Sequence, residues 1–167
     1  MTSPTELYRE IALTQGLAAM VDAADYEWLM QWKWSAHRTS DGYYARASYV
    51  RFPASLRRVY MHRLILGLQA GDRRMCDHRN RNRLDNRRIN LRVATHADNQ
   101  ANKEGYGASG FKGVTRFRKR WKAEITLNKK TIFLGSFATP EHAHSAYCNA
   151  AMLVRGEFAC TESRSHV

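Results

Sequence analysis

The apolar positions of this chain change period repeatedly, and each change predicts an element boundary. Residues 11–13 and 17–21 are apolar runs flanking Gln15-Gly16, the arrangement of a hairpin. Asp22 or Asp25 can cap a short helix carrying Tyr26, Leu29 and Met30 at helical spacing. Trp32, Trp34 and Ala36 then alternate with Lys33, Ser35 and His37, the period of a half-buried strand. Residues 43–50 alternate again beyond a Ser40-Asp41-Gly42 turn. Tryptophans can stack on bases, but at strand spacing they are expected to face a core. Leu64, Ile65 and Leu68 return to helical spacing, with His62 and Arg63 beside them; His62 can touch phosphate, but a lone histidine on a short helix is more often packing or surface. Residues 75–78 predict a short strand, 79–83 a polar loop and 87–93 a second extended stretch. Thr95 then caps a helix running to about residue 103.

Three glycines and a serine between residues 104 and 110 mark a linker. Beyond it, short strands are predicted at 113–117, 121–127 and 131–137, with Asn128-Lys129 as a tight turn between the last two. Thr139-Pro140 opens a helix in the preferred way, a hydroxyl cap followed by proline in the first turn. Ala143, Ala146, Tyr147, Ala150, Ala151 and Val154 continue it at the helical period. The expected class is α+β. A mixed α/β scaffold and a second module fill residues 1–103, a linker spans 104–110, and a three-stranded antiparallel sheet packed on one helix fills 111–160.

Composition narrows the partners. With 167 residues, 44% of them apolar, the chain can bury a core in one ordinary domain or two small ones. Its 27 Lys and Arg against 15 Asp and Glu give a net charge of +12. The resulting pI near 10.1 implies an acidic partner, with nucleic acid ahead of a membrane surface. No apolar run approaches the ~18 residues of a spanning helix. No basic-then-apolar leader opens the chain, so a cytoplasmic location is expected. The three cysteines are widely spaced and lack a C-x-x-C, so neither disulfides nor a cysteine zinc site is expected.

Charge is concentrated as well as abundant. Residues 57–92 hold eleven arginines and three acids (Asp72, Asp77, Asp85), so eleven minus three, or eight, of the +12 resides there. Within that field stands Asp77-His78, followed by Asn90 and Asn99. A carboxylate can hold a divalent cation, an imidazole can take a proton from water near neutral pH, and arginines can hold a polyanion against both. Phosphodiester hydrolysis needs those three things. His78 fits the general base. Asp77 and the Asn99 amide oxygen are hard donors of the kind magnesium or manganese accepts. Asn90 is better suited to pinning a loop through bonds to backbone. A capping aspartate beside a surface histidine is the plainer alternative for the dipeptide alone, which is common. The four-residue pattern is more specific.

Two resemblances follow from the residues. Met61-His62-Arg63-Leu64, Cys76-Asp77-His78-Arg79-Asn80, Leu84-Asp85-Asn86-Arg87-Arg88-Ile89-Asn90-Leu91-Arg92 and Asn99-Gln100-Ala101-Asn102-Lys103 resemble an HNH endonuclease of the phage and intron-associated homing subgroup, whose last motif residue is Asn. That resemblance implies a ββα-metal module over about 60–103, with His78 as general base. Asp77 and Asn99 would be ligands of one divalent ion, Mg or Mn, and Asn90 would orient the loop that carries His78. Arg63, Arg79, Arg81, Arg83 and Arg87 would grip the DNA backbone. Cys76 departs from the usual aliphatic residue, and Arg79-Asn80-Arg81-Asn82 from a glycine-containing turn.

The C-terminal part resembles the APETALA2/ethylene-response-factor DNA-binding domain. Phe111-Lys112-Gly113-Val114, Trp121-Lys122-Ala123-Glu124-Ile125, Leu134-Gly135-Ser136-Phe137, Glu141-x-Ala143-x-x-Ala146-Tyr147 and Arg155-Gly156-Glu157-Phe158-Ala159 carry it in order. In that family a three-stranded sheet backed by a helix lies in the major groove. Strand alternation here sends Trp121, Ala123, Ile125 and Leu127 toward the helix and leaves Lys122, Glu124 and Thr126 outward. Lys112, Lys122 and Glu124 fall on groove-facing positions of the family pattern. Arg116, Arg118, Lys119 and Arg120 are expected at phosphates, the bland alternative being a solvated turn. Thr115, Phe117, Thr126, Thr131 and Phe133 stand where plant members use arginines, so base preference does not carry over.

The sequence thus predicts a metal-dependent endonuclease that nicks or breaks duplex DNA in a phage or bacterial host cytoplasm. No membrane and no obligatory protein partner are expected, and a monomer is favoured. The alternative is a DNA-binding regulator with a degenerate, inactive nuclease module. The presence of Asp77, His78, Asn90 and Asn99 together speaks for the first. An RNA-binding module is weaker, because no aromatic-rich single-strand motif occurs.

Overall fold

The computed structural model describes residues 7–48, 58–69, 71–102, 108–159 and 161, a mixed α+β chain with several small antiparallel sheets. It divides into two compact units, Met1–His96 and Ala97–Val167.

In the first unit, β1 (Tyr8–Ala12) and β2 (Ala18–Asp22) form the expected hairpin. The chain reverses through left-handed Gln15 and Gly16 (φ 66° and 69°), a conformation that glycine adopts without steric cost. Helix α1 (Ala23–Leu29) follows, with Asp22 at its N-cap position. The Asp22 side chain does not cap it, contrary to expectation. Its carboxylate accepts instead from the Arg88 backbone N–H at 2.7 Å. Strands β3 (Trp34–Thr39), β4 (Gly42–Ser48) and β5 (Arg58–Tyr60) make one antiparallel sheet in that order. Alternation seats Trp34, Ala36, Ala45 and Ala47 in the core with Ile11, Val21, Leu29, Met61, Ile65 and Leu91. The tryptophans at strand spacing thus serve packing. Residues 49–50 of the alternating stretch lie outside the described residues.

Helix α2 (Met61–Ile65) is shorter than the period suggested. The chain leaves it through left-handed Gly67, and the Leu68 N–H donates to the Arg63 carbonyl, which still buries Leu68. Strand β6 (Met75–His78) pairs antiparallel with β7 (Leu91–Ala94), setting His78 opposite Leu91. The extended stretch expected over 87–93 is strand only from Leu91. Residues 87–90 form a turn instead, with the N–H groups of Asn90 and Leu91 donating to the Arg87 carbonyl.

Helix α3 (His96–Asn102) begins at the division between units, and from Ala97 onward it belongs to the second. The division falls one residue into α3. A physical reason is visible: Lys112 Nζ donates to the Gln100 and Ala101 carbonyls at 2.9 and 2.6 Å, tying the end of α3 to the unit that follows. Of the expected linker, residues 104–107 lie outside the described residues. β6 and β7 belong to the first unit, and α3 from Ala97 onward belongs to the second.

The second unit is a meander of β8 (Val114–Phe117), β9 (Arg120–Leu127) and β10 (Lys130–Phe137) backed by α4 (Pro140–Arg155). Thr139 Oγ1 accepts from the His142 N–H, the expected cap, and Pro140 occupies the first turn. Val114, Ala123 and Ile125 meet Ala143, Tyr147 and Ala151. A bulge between Phe133 and Gly135 turns Leu134 into the same core. Close packing requires Gly113: at φ +72° an added Cβ would lie 2.0 Å from Tyr147 Cδ2.

Candidate functional site

β6 carries Asp77 and His78 into the first unit, and both are buried. The His78 ring meets the His62 ring edge-on at 5.2 Å and the Tyr44 ring at 6.2 Å. Its Nε2 lies 3.4 Å from Asn86 Oδ1. Burial pushes the His78 pKa down to about 4, against the opposing pull of Asn86 and Asp77. His62 is held well below its ordinary value by burial and then by the charges of His78 and Arg63. The Cys76 thiol is pushed up to about 12 by burial and the neighbouring Asp77 charge, which rules it out as a ready nucleophile.

The carboxylates around this pair are engaged with arginines. Asp77 Oδ2 accepts from Arg92 Nε at 2.8 Å and Nη2 at 2.6 Å, and both side chains are buried. The Asp85 oxygens accept from Arg87 Nε and Nη2 at 2.8 and 2.7 Å, and from Asn80 Nδ2 at 2.8 Å. Burial raises the Asp85 carboxyl pKa, but the Arg87 bonds and charge outweigh it and the net shift is downward. Among the described residues, no three His, Cys, Asp or Glu side chains are grouped to hold a metal ion. Asn99 belongs to the second unit. Asp77 and Asp85 are thus each held in an ion pair with an arginine.

Asn90 pins the loop. Its Oδ1 accepts from the Asn80 N–H at 2.9 Å, and its Nδ2 donates to the Asp85 carbonyl at 2.7 Å. The loop is also clipped to β2, where the Met20 N–H donates to Leu84 O and the Asn86 N–H to Met20 O. Asn86, fully buried, and Asp85 had no role assigned from sequence, although both lie inside the quoted motif. Nothing in the local pattern indicates that the Asn86 backbone N–H finds its partner in Met20 of the distant β1–β2 hairpin.

Of the arginines expected at a DNA backbone here, Arg63 spends its guanidinium on the carbonyls of Gln69, Asp72 and Arg74. Arg87 pairs with Asp85, and Arg83 donates to the Tyr44 hydroxyl and the Arg81 carbonyl. Arg81 adopts a left-handed backbone, and Arg79 is exposed.

In the second unit the side of the sheet away from α4 is solvent-facing. Register places Thr115 beside Lys122, Phe117 beside Arg120, Glu124 beside Phe133 and Thr126 beside Thr131. Lys122 and Glu124 lie on that side as expected and pair with each other at 2.9 Å. Lys112 precedes β8 and is tied to α3, so it is not a strand residue of this face. Arg116 lies on the helix side with its guanidinium 5.0 Å from the Trp121 ring centroid. Arg118 occupies the turn and lies over Phe117, and Arg120 donates to Ser136 O at 2.7 Å. Residues 111–137 hold eight Lys and Arg against one acid, Glu124.

No family model matches the chain, and no solved structure matches it significantly. Among curated proteins it is similar to the AP2-like ethylene-responsive transcription factors AIL7 and AIL6 of Arabidopsis thaliana, with 46% identity over 59 residues. It is 44% identical over 59 residues to the AP2-like ethylene-responsive transcription factor CRL5 of Oryza sativa subsp. japonica. Each match covers 33% of this chain, which spans between 9 and 12% of those relatives' length. These relatives are transcription factors rather than endonucleases, and that finding corrects the expectation of an HNH endonuclease. They are plant proteins, so the expected phage or bacterial setting has no support among them. No helix among the described residues is long and apolar enough to cross a membrane.

Proposed function

We propose that this chain is a DNA-binding regulator whose second unit holds duplex DNA against the outer face of β8–β9–β10. The observation that carries this is the charge of the sheet segment. Residues 111–137 hold eight basic residues and one acid, in the strands, the turns between them and, for Lys112, the lead into β8, and the other face of the sheet is closed by α4. A polyanion is the partner such a face attracts, and strands can lie in a DNA groove. Similarity to AP2-like transcription factors supports the same reading. In the first unit, carboxylates neutralised by arginine serve as scaffold, in keeping with the regulator alternative.

Titration of the full chain into labelled duplex at several salt concentrations tests it. Log affinity is expected to fall steeply with log salt, and Arg118→Gln with Arg120→Gln to flatten the slope by about two units if both meet phosphate. Undetectable binding to any duplex at low salt would overturn the proposal. An unchanged slope for the double variant would move the contact away from this turn.

A further inference from the structure

The outer face of the sheet mixes exposed aromatic and threonine positions with charged ones. Phe133, on edge strand β10 beside Glu124, is 61% exposed, and Phe117, at the end of the other edge strand β8 beside Arg120, is 53% exposed, although this unit already buries a core on the other side of the same strands. Thr115, Thr126 and Thr131 share that side, each bringing a methyl group. The two strand arginines are engaged by other groups of the unit. Arg120 is held by Ser136 Oγ and O, and Arg116 lies on the helix side against Trp121. Lys122 is paired with Glu124. Positive charge collects at the strand ends, in Arg118 and Lys119 of one turn and Lys129 and Lys130 at the other.

This mixture matters because the readouts differ. A guanidinium presented to base edges takes guanine O6 and N7 in bidentate fashion, whereas threonine methyls and phenylalanine rings make apolar contact with the C5-methyl of thymine. Charge at the strand ends positions the duplex through its phosphates without reading sequence. Aromatic rings left in water on a sheet face gain from covering, and thymine methyls are apolar groups that the major groove offers to such a surface. We infer that the Phe117–Phe133–threonine face selects duplexes by their thymine C5-methyl groups in the major groove. The inference rests on the proposal that this face binds duplex DNA.

Its test separates the two. Short duplexes of random sequence are prepared once with thymine and once with uracil, which pairs identically but lacks the methyl. Each is titrated with the full chain at one fixed salt concentration. Thymine duplexes are expected to bind tighter by about fourfold for each methyl covered. Phe133→Ala, a change at an exposed position, is expected to bring the ratio toward one while leaving the salt slope as it was. Equal binding of both duplexes, each still salt-dependent, overturns the methyl readout and leaves the regulator proposal standing. A thymine preference that Phe133→Ala and Phe117→Ala together leave unchanged overturns the assignment to this face. Binding to neither duplex overturns both proposals.

Discussion

A carboxylate can ligate a cation or neutralise a guanidinium, and the local sequence around Asp77 is the same in either case. What separates the two roles is the partner, here Arg92 on the neighbouring strand, with two guanidinium nitrogens within 2.8 Å of Asp77 Oδ2 and both side chains buried. Removing one member of such a pair leaves the other charge buried without compensation. Asp77→Ala is therefore expected to destabilise the first unit by about 3–5 kcal/mol. Replacing both residues by leucine is expected to cost distinctly less, because two apolar groups need no neutralisation. Urea unfolding followed by tryptophan fluorescence reads this well, since Trp28, Trp32 and Trp34 all lie in the first unit. If the double replacement costs the sum of the two single ones, the ion pair is not what holds Asp77 in place.

At the scale of elements, the second unit's turns show what sequence can specify. Asn128 and Lys129 both take left-handed backbone (φ 49° and 65°), as a two-residue hairpin turn requires, and Lys129 bears the steric cost of doing so with a Cβ. Lys129→Gly should therefore stabilise the β9–β10 hairpin by about 1 kcal/mol and raise the melting temperature of this small unit by roughly 4–8 °C. A lower melting temperature would show that the lysine side chain contributes more than its backbone costs. This turn, the Thr139 cap and the strand alternation were legible because each depends on residues within one turn or one strand. Asp22 was misread for the opposite reason: a capping position is local, but its actual donor is the backbone of Arg88. The short reach of α2 and the late start of β7 have the same origin, since hydrogen bonds to Arg63 and Arg87 carbonyls end the regular pattern there. Phe117 and Phe133 were legible as departures from a family pattern, but their exposure depends on α4 having closed the other face.

For the whole molecule, net charge is a poor map of where a polyanion binds. The densest arginine run, residues 57–92, spends much of its charge internally. Arg87, Arg88 and Arg92 each hold an aspartate, and Arg63 holds three carbonyls. The sheet segment of the second unit has fewer cations but only one acid, and its turns carry them at the surface. Each unit also has its own buried cluster, so the two can be separated by experiment. The fragment 97–167 is expected to fold and to keep most of the duplex affinity and salt dependence of the full chain. The fragment 1–96, despite its arginines, is expected to bind far more weakly and with a shallower salt slope, because paired guanidiniums have few counterions left to release. Supercoiled plasmid incubated with the full chain and magnesium is expected to be retarded but to stay covalently intact. Nicking that disappears in His78→Ala would overturn the assignment of the first unit as scaffold. Equal affinity of the two fragments would show instead that the arginine run can surrender its internal partners to phosphate, and DNA would then be held by both units.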